Sequence, residues 1–472
     1  MSGFFGAIKK NIDCTYDLFY GTDYQSHMGT RRAGLATLRE NGDIARSIHS
    51  LESSYFRTRF EAELGKFTGK SGIGVISDSD PQPIVMKTRI GKYAIASVAR
   101  LNNIDEIEKD VLKAGGHLSE LSSGNTCATE LLGLVISQGK DYADGIELAY
   151  KKFKGSLSLL LLTEKGIIAA RDFYGRTSVV IGKHAEDGYA VASETCAFSN
   201  LGYETEYFLG PGEIVLLTAD GYTQLRKPEE KMQICSFLYV YYGFPISEYE
   251  NINVDNVRRR LGKLMAKNDN VEADFVSGIP DSGLGMALGY SEVSPLPYRR
   301  AIVKYTPTWP RSFTPASQKV RNLVAKMKLI ANKKLLQNRK VVFCDDSIVR
   351  GTQLRDNVNI LYEYGAKEVH MRISCPPLLY VCPFINFSAS KSILELISRQ
   401  IIAEIEGDPE KNVAAYSIFG TEQYNNMVER ICTKLNITSL KFVKIDDLVS
   451  AIGLPKDCIC THCFDNSSYG HK

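Results

Sequence analysis

The sequence predicts an α+β half followed by an α/β half built on a parallel sheet, and three observations carry that prediction. Residues 1–231 hold short strand-like runs punctuated by glycine, such as GIGVI at 72–76 and YAIAS at 93–97. From about Ile234 onward, apolar runs alternate with helically spaced segments, the layout of an open parallel sheet. Within that second part, residues 341–353 read VVFCDDSIVRGTQ: a buried-strand run, two adjacent carboxylates, and a small-polar loop containing Gly351.

In the first half, residues 156–162 and 166–170 pattern as a hairpin, and residues 104–114 and 129–137 as helices. A four-layer or sandwich-type α+β domain accommodates them. In the second half, residues 274–278 pattern as a strand ending in IPDSG, with a helix to follow. The next strands are 340–346 and 368–373, and residues 354–362 carry helical spacing. A basic stretch, residues 299–340, separates two of these strands and reads either as a solvated face or as a mobile lid.

A loop between a strand's carboxyl end and a helix's amino end presents free N–H groups and a positive dipole end, which suits a phosphate. Two carboxylates beside such a cradle are costly unless they face hydroxyls or a metal, so Asp345 and Asp346 point to a sugar phosphate. The alternative is an ordinary strand–turn–helix with a solvated acid pair.

A chain of 472 residues is long enough for two domains, expected here as 1–231 and 232–472. A formal net charge of +3 is too mild to argue for nucleic acid or a membrane surface. The start, MSGFFG, lacks a signal-peptide pattern, and no window holds eighteen uninterrupted apolar residues. With eleven cysteines and no export signal, reduced cytoplasmic thiols or a metal site are expected rather than disulfides.

VVFCDDSIVRGTQ resembles the phosphoribosyl-diphosphate (PRPP) signature of type I phosphoribosyltransferases. GIPDSG at 278–283 is similar to the PDS turn, and RSFTPASQKVR at 311–321 to the flexible loop, of glutamine-dependent amidophosphoribosyltransferases. RDFYGR at 171–176, VASETCAF at 191–198 and LGPGEIV at 209–215 look like strands of that family's glutaminase domain. The resemblance spans almost the whole chain. It implies an Ntn-hydrolase-like (class II glutamine amidotransferase) domain, then a type I phosphoribosyltransferase domain. It also implies displacement of diphosphate from PRPP by an amine, as in purine biosynthesis, and a homo-oligomer.

Carried over residue by residue, Asp345 and Asp346 would bind the ribose hydroxyls, and Ser347, Ile348, Val349, Arg350, Gly351 and Thr352 the 5′-phosphate. Ser282 and the acid pair would help hold Mg²⁺ on the diphosphate, and Arg311 and Lys326 would be lid cations. The lid departs from the pattern: the family's KNRYVGR becomes KYTPTWPR at 304–311, longer and stiffened by two prolines. Cys235, Cys382, Cys460 and Cys463 fall where iron–sulfur members place the ligands of a 4Fe–4S cluster, with Cys458 a possible substitute. Scattered buried thiols, or a zinc site using Cys458 or His462, are the alternatives. Cys344 reads as a buried apolar residue.

The family's amino-terminal CGxxG appears as Ser2-Gly3-Phe4-Phe5-Gly6, where Ser2 could still be a nucleophile if Met1 is removed. Its HRG becomes His27-Met28-Gly29, losing a guanidinium. Its HVRY becomes Val75-Ile76-Ser77-Asp78, and its HNGN becomes Ser97-Val98-Ala99-Arg100. Its TSDSE becomes Thr126-Cys127-Ala128-Thr129-Glu130. Nucleophile, oxyanion-hole donors and both ends of the glutamine clamp change together, so an inactive glutaminase is expected. The amine would then be free ammonia, ammonia from a partner protein, or another amine. Two further readings stand beside this one: a non-catalytic PRPP or nucleotide sensor, and a glutamine-dependent enzyme using Ser2.

Overall fold

Strands whose side chains are apolar on both faces must be covered on both, and the first half is built that way. A computed structural model describes residues 2–122, 124–305, 329–385 and 392–470. In it, Leu160 and Leu162 of the strand Gly155–Thr163 enter one core while Leu159 and Leu161 enter another. The first of these cores lies between two antiparallel sheets. The seven-stranded sheet runs, edge to edge, through Tyr203–Phe208, Val180–His184, Tyr189–Ala192, Gly3–Ile8, Ser71–Ser77, Arg32–Leu38 and Ile44–Ser50. The six-stranded sheet runs through Gly221–Arg226, Ile214–Thr218, Gly166–Ala170, Gly155–Thr163, Gly91–Leu101 and Ile84–Thr88.

Phe4, Ile73, Val75, Ala96 and Val98 fill the space between the sheets. The helices Ile104–Lys113, Ala128–Ile136 and Tyr142–Lys152 cover the outer face of the six-stranded sheet through Ile107, Val111, Leu132 and Ile146. The helix Thr15–Asp23 covers the outer face of the other sheet, packing Leu18 and Phe19 with Phe5. This is the four-layer arrangement expected from the sequence, and the predicted hairpin and helices fall within it. Three segments differ. RDFYGR is a turn beyond the strand end at Ala170, because Asp172 accepts from the backbone N–H groups of Tyr174 and Arg176 and coils the chain. VASETCAF leaves its strand at Ala192, and LGPGEIV enters one only at Ile214, after Glu213 has accepted from the Gly210 N–H.

The second half centres on a four-stranded parallel sheet ordered Phe275–Gly278, Lys340–Asp345, Glu368–Ile373 and Ser439–Phe442. Val276, Val342, Met371 and Leu440 stand in its core. A buried ion pair braces one side. Asp269 receives Arg372 Nη2 at 3.1 Å and the Tyr290 hydroxyl at 2.8 Å, and these donors hold its buried carboxyl down at about 2. Within the second half a short parallel pair, Ile234–Cys235 against Ile459–Cys460, ties its first residues to its carboxyl-terminal segment. Met28 of the first half is buried in the second half's core.

Candidate functional site

The strand Lys340–Asp345 delivers its acid pair at the carboxyl end of the parallel sheet, and the helix Thr352–Glu363 begins six residues later. Two close approaches shape the site. A Cβ on Gly283 would stand 2.1 Å from the Cys344 carbonyl oxygen, so only glycine lets the PDS turn lie against the strand end. Gly351 has φ +75°, and a Cβ there would meet Ile397 Cδ1 at 2.5 Å. The Val349 carbonyl accepts from the Ile397 N–H at 2.8 Å, and Arg350 pairs with Glu395. The loop is therefore clasped by the segment around 393–397.

Asp345 is half-buried and Asp346 buried. Asp345 Oδ1 accepts from Ser282 Oγ at 3.1 Å and from the Asp346 N–H at 2.9 Å, and Ser347 Oγ donates to Asp346. Burial and the charge of Asp346 push the Asp345 carboxyl well above the usual range. Burial also raises Asp346, against the donors on it and the charge of Arg258. Arg258, buried on the helix Val254–Lys267, is held by the carbonyls of Tyr239, Tyr241 and Gly243. A carboxylate pair disfavoured in its own charge is suited to a cation or to hydroxyl donors. Ser282, Asp345, Asp346 and the loop 347–352 are thus brought together. Arg311 and Lys326 lie outside the described residues, as does most of the KYTPTWPR segment.

All four expected cysteines converge at the junction of the halves. Cys235 and Cys460 are register partners, and the Cys463 carbonyl accepts from the Leu379 and Tyr380 N–H groups, which brings in the Cys382 segment. Each of the four is buried. Cys463, followed by the N–H groups of Phe384 and Ile385 at 3.5 and 3.3 Å, donates to Cys382 and brings its thiol down to about 7. Burial instead pushes Cys460 up to about 11, and raises Cys235. Cys463 rises because it is the donor to Cys382, and burial adds to this. Cys458 is half-exposed, and Cys344 is fully buried in the strand. Among the described residues no group of three His, Cys, Asp or Glu side chains has the geometry to hold a single metal ion. The thiolates around an iron–sulfur cubane stand further apart than those around one ion, and a donor set of four converging thiols fits that group.

The first half presents a different picture at Ser2. A cavity of about 10 Å³, room for one water, is lined by Ser2, Val98, Ala99, Ser156 and Thr177 of the first half and by Phe384 and Ile385 of the second. Where the family's glutamine clamp would stand, and where its loss is expected, the chain's own side chains bond to one another. Gln82 Oε1 accepts from the Ser97 N–H at 2.6 Å, while Gln82 Nε2 donates to the Ser97 carbonyl and to Ser77 Oγ. Ser97 Oγ meets Thr129 Oγ1 at 3.1 Å, and Thr129 is held through its N–H and hydroxyl by Asp80. Asp78 accepts from the Thr30 N–H. Ala128 opens the helix Ala128–Ile136 without a side-chain polar group.

Nothing in the spacing of residues 78–83 announces that Gln82 folds back over the strand Gly91–Leu101, so this network was not legible from sequence. Nor was the latch in which buried Glu194 accepts from the Tyr249 hydroxyl at 2.6 Å and pairs with His27 at 2.6 Å.

Comparison with known proteins places these features. Residues 71–200 match the family model of a glutamine amidotransferase domain. The chain is 31% identical to the amidophosphoribosyltransferase of Methanocaldococcus jannaschii, over 97% of this chain and 96% of that one. It is also 31% identical to the amidophosphoribosyltransferase of Bacillus subtilis, over 94% and 88%. The solved glutamine PRPP amidotransferase from B. subtilis, complexed with ADP and GMP, superposes with a TM-score of 0.85 at 28% identity, covering 99% of this chain and 97% of that one. A solved allosteric regulatory enzyme of purine biosynthesis superposes with a TM-score of 0.82 at 27% identity, covering 99% and 96%.

Proposed function

Because this chain belongs to the amidophosphoribosyltransferase family, we propose that it displaces diphosphate from PRPP with ammonia or another amine and does not hydrolyse glutamine. The observation that carries this reading is the contrast between the two sites. The acid pair stands at the strand end with Ser282 on Asp345, while Gln82, Ser97, Thr129 and Asp80 bond among themselves where a glutamine clamp would stand.

In the transfer, Asp345 and Asp346 accept hydrogen bonds from the ribose 2′- and 3′-hydroxyls, orienting the sugar. The N–H groups of residues 347–352 hold the 5′-phosphate at the amino end of the helix Thr352–Glu363. The amine attacks the anomeric carbon as the bond to diphosphate breaks, with inversion. Ser282 and the acid pair would hold Mg²⁺, which supplies neutralisation of charge on the leaving diphosphate. Two or three protein oxygens suffice for that ion, since substrate oxygens and water complete its shell.

Cys235, Cys382, Cys460 and Cys463 would hold a 4Fe–4S cluster, which supplies a covalent tie between the start, middle and end of the second half. Because these segments abut the first half, its role here is structural. Homo-oligomerisation and delivery of ammonia by a partner are part of the same reading.

Purified protein given PRPP, Mg²⁺ and either glutamine or ammonium at high pH tests the proposal. Diphosphate release with ammonium but not with glutamine is expected. No diphosphate release with any amine would leave a PRPP-sensing protein, and efficient use of labelled glutamine would return Ser2 to the role of nucleophile.

A further inference from the structure

Arg176 is a fully buried cation whose own domain does not complete its bonding. Its Nη2 donates to the Tyr469 carbonyl, but Nε and Nη1 have no hydrogen-bond partner among the described residues. Asp172, at 3.8 Å from Nη1, is too far for a hydrogen bond. One face of the guanidinium lies 3.5 Å from the ring centroid of Phe384, two residues beyond Cys382. The backbone carbonyl of Arg176 accepts from the Cys235 N–H at 3.1 Å, and its guanidinium stands within interaction range of the Cys460 side chain. Three of the four cysteine segments therefore touch this one residue of the first half.

A buried guanidinium with two unfilled donors is expensive unless an anion completes it. The neighbouring carboxylate stands too far off to hydrogen-bond these donors, and the Cys460 side chain is within the guanidinium's range. Four thiolates around an iron–sulfur core carry net negative charge, and a planar fork of N–H donors matches such a partner. We propose that Arg176 is the positioning cation of the cysteine-bound cluster, donating through Nε and Nη1 to the Cys460 sulfur or an adjacent cluster sulfide. This rests on the cluster assignment above. It adds that a turn of the glutaminase-like half reads and stabilises the group held by the other half.

The test uses full-length Arg176→Met and Arg176→Lys beside the wild type, each reconstituted without oxygen. Iron and acid-labile sulfide per chain, absorbance near 400 nm, midpoint potential and the rate of bleaching by a chelator are read, with far-UV circular dichroism as the check on folding. Arg176→Met is expected to bleach about ten-fold faster and to show a more negative potential, since removal of a nearby positive charge disfavours the reduced cluster. Arg176→Lys keeps the charge but not the fork, and its values are expected to lie between the two. If Arg176→Met does not fold, the Lys variant decides alone. Wild-type potential and bleaching rate in whichever variant folds would overturn the proposal. A wild type that takes up no iron would overturn both this proposal and the cluster assignment.

Discussion

Replacing Asp345 by asparagine should separate stability from function at the acid pair. The carboxyl is pushed up by burial and by Asp346, so in the fold it holds its proton more tightly than in the unfolded chain. The pair therefore favours folding below the unfolded carboxylate range, and that advantage disappears as pH rises through the raised value. As the pH rises through that raised value, both groups are asked to ionise together. Two like charges 4 Å apart at an effective dielectric near 20 repel by about 4 kcal/mol, of which solvent and side-chain relaxation leave about 1–2 kcal/mol to be recovered. Asparagine keeps an oxygen for Ser282 and the Asp346 N–H while removing one charge. For a domain of this size the expected gain is about 2–8 °C in Tm at pH 8 without PRPP or Mg²⁺, shrinking toward pH 4. Adding PRPP and Mg²⁺ should reverse the order, because ligand at 100 times its Kd stabilises the wild type by about 2.7 kcal/mol and the variant hardly at all. Thermal melts over that pH range, paired with a diphosphate-release assay, make the measurement. A variant that melts below the wild type at pH 8 without ligand, or that retains turnover, would refute the reasoning.

Three other outcomes follow from the same geometry. Asp269→Asn removes the partner of buried Arg372 and should cost about 3–5 kcal/mol in chemical denaturation. Because Asp269 sits at about 2 in the fold, below its unfolded value, the wild type's advantage should be present above about pH 4 and fade as the pH falls toward 2. Gly351→Ala places a Cβ against Ile397 at a left-handed φ, about 1–3 kcal/mol of local strain, and should lower PRPP turnover more than ten-fold with unchanged circular dichroism. Gln82→Ala opens the network around Ser97 but restores neither clamp nor oxyanion donors, so no glutamate release from glutamine is expected; measurable glutaminase activity would count against a lost site.

The phosphoribosyl half was legible because its chemistry is local. Strand, acid pair, loop and helix are consecutive, and Gly351 marks the one left-handed position. The cysteines were legible only through resemblance, since Cys235 and Cys460 are 225 positions apart and no periodicity links them. The three glutaminase-like segments were misread as strands for the same reason that Gln82 was missed. Asp172, Glu213 and Gln82 each direct the backbone through side-chain bonds to distant or folded-back groups, and such bonds leave no pattern in apolar spacing. Met28 reads as a lost guanidinium in the sequence; in the fold it is also an apolar anchor in the second half's core.

The pairing of Ile234–Cys235 with Ile459–Cys460 also sets an order of events during synthesis. Every strand of the two antiparallel sheets and of the four-stranded parallel sheet precedes residue 459 in the chain. The clasp within the second half closes only afterward, when its carboxyl-terminal strand arrives. A nascent chain halted just short of that point would hold both cores yet leave an unpaired strand edge and two solitary thiols exposed at the seam. Chaperone capture and thiol oxidation would then compete with the final step of assembly.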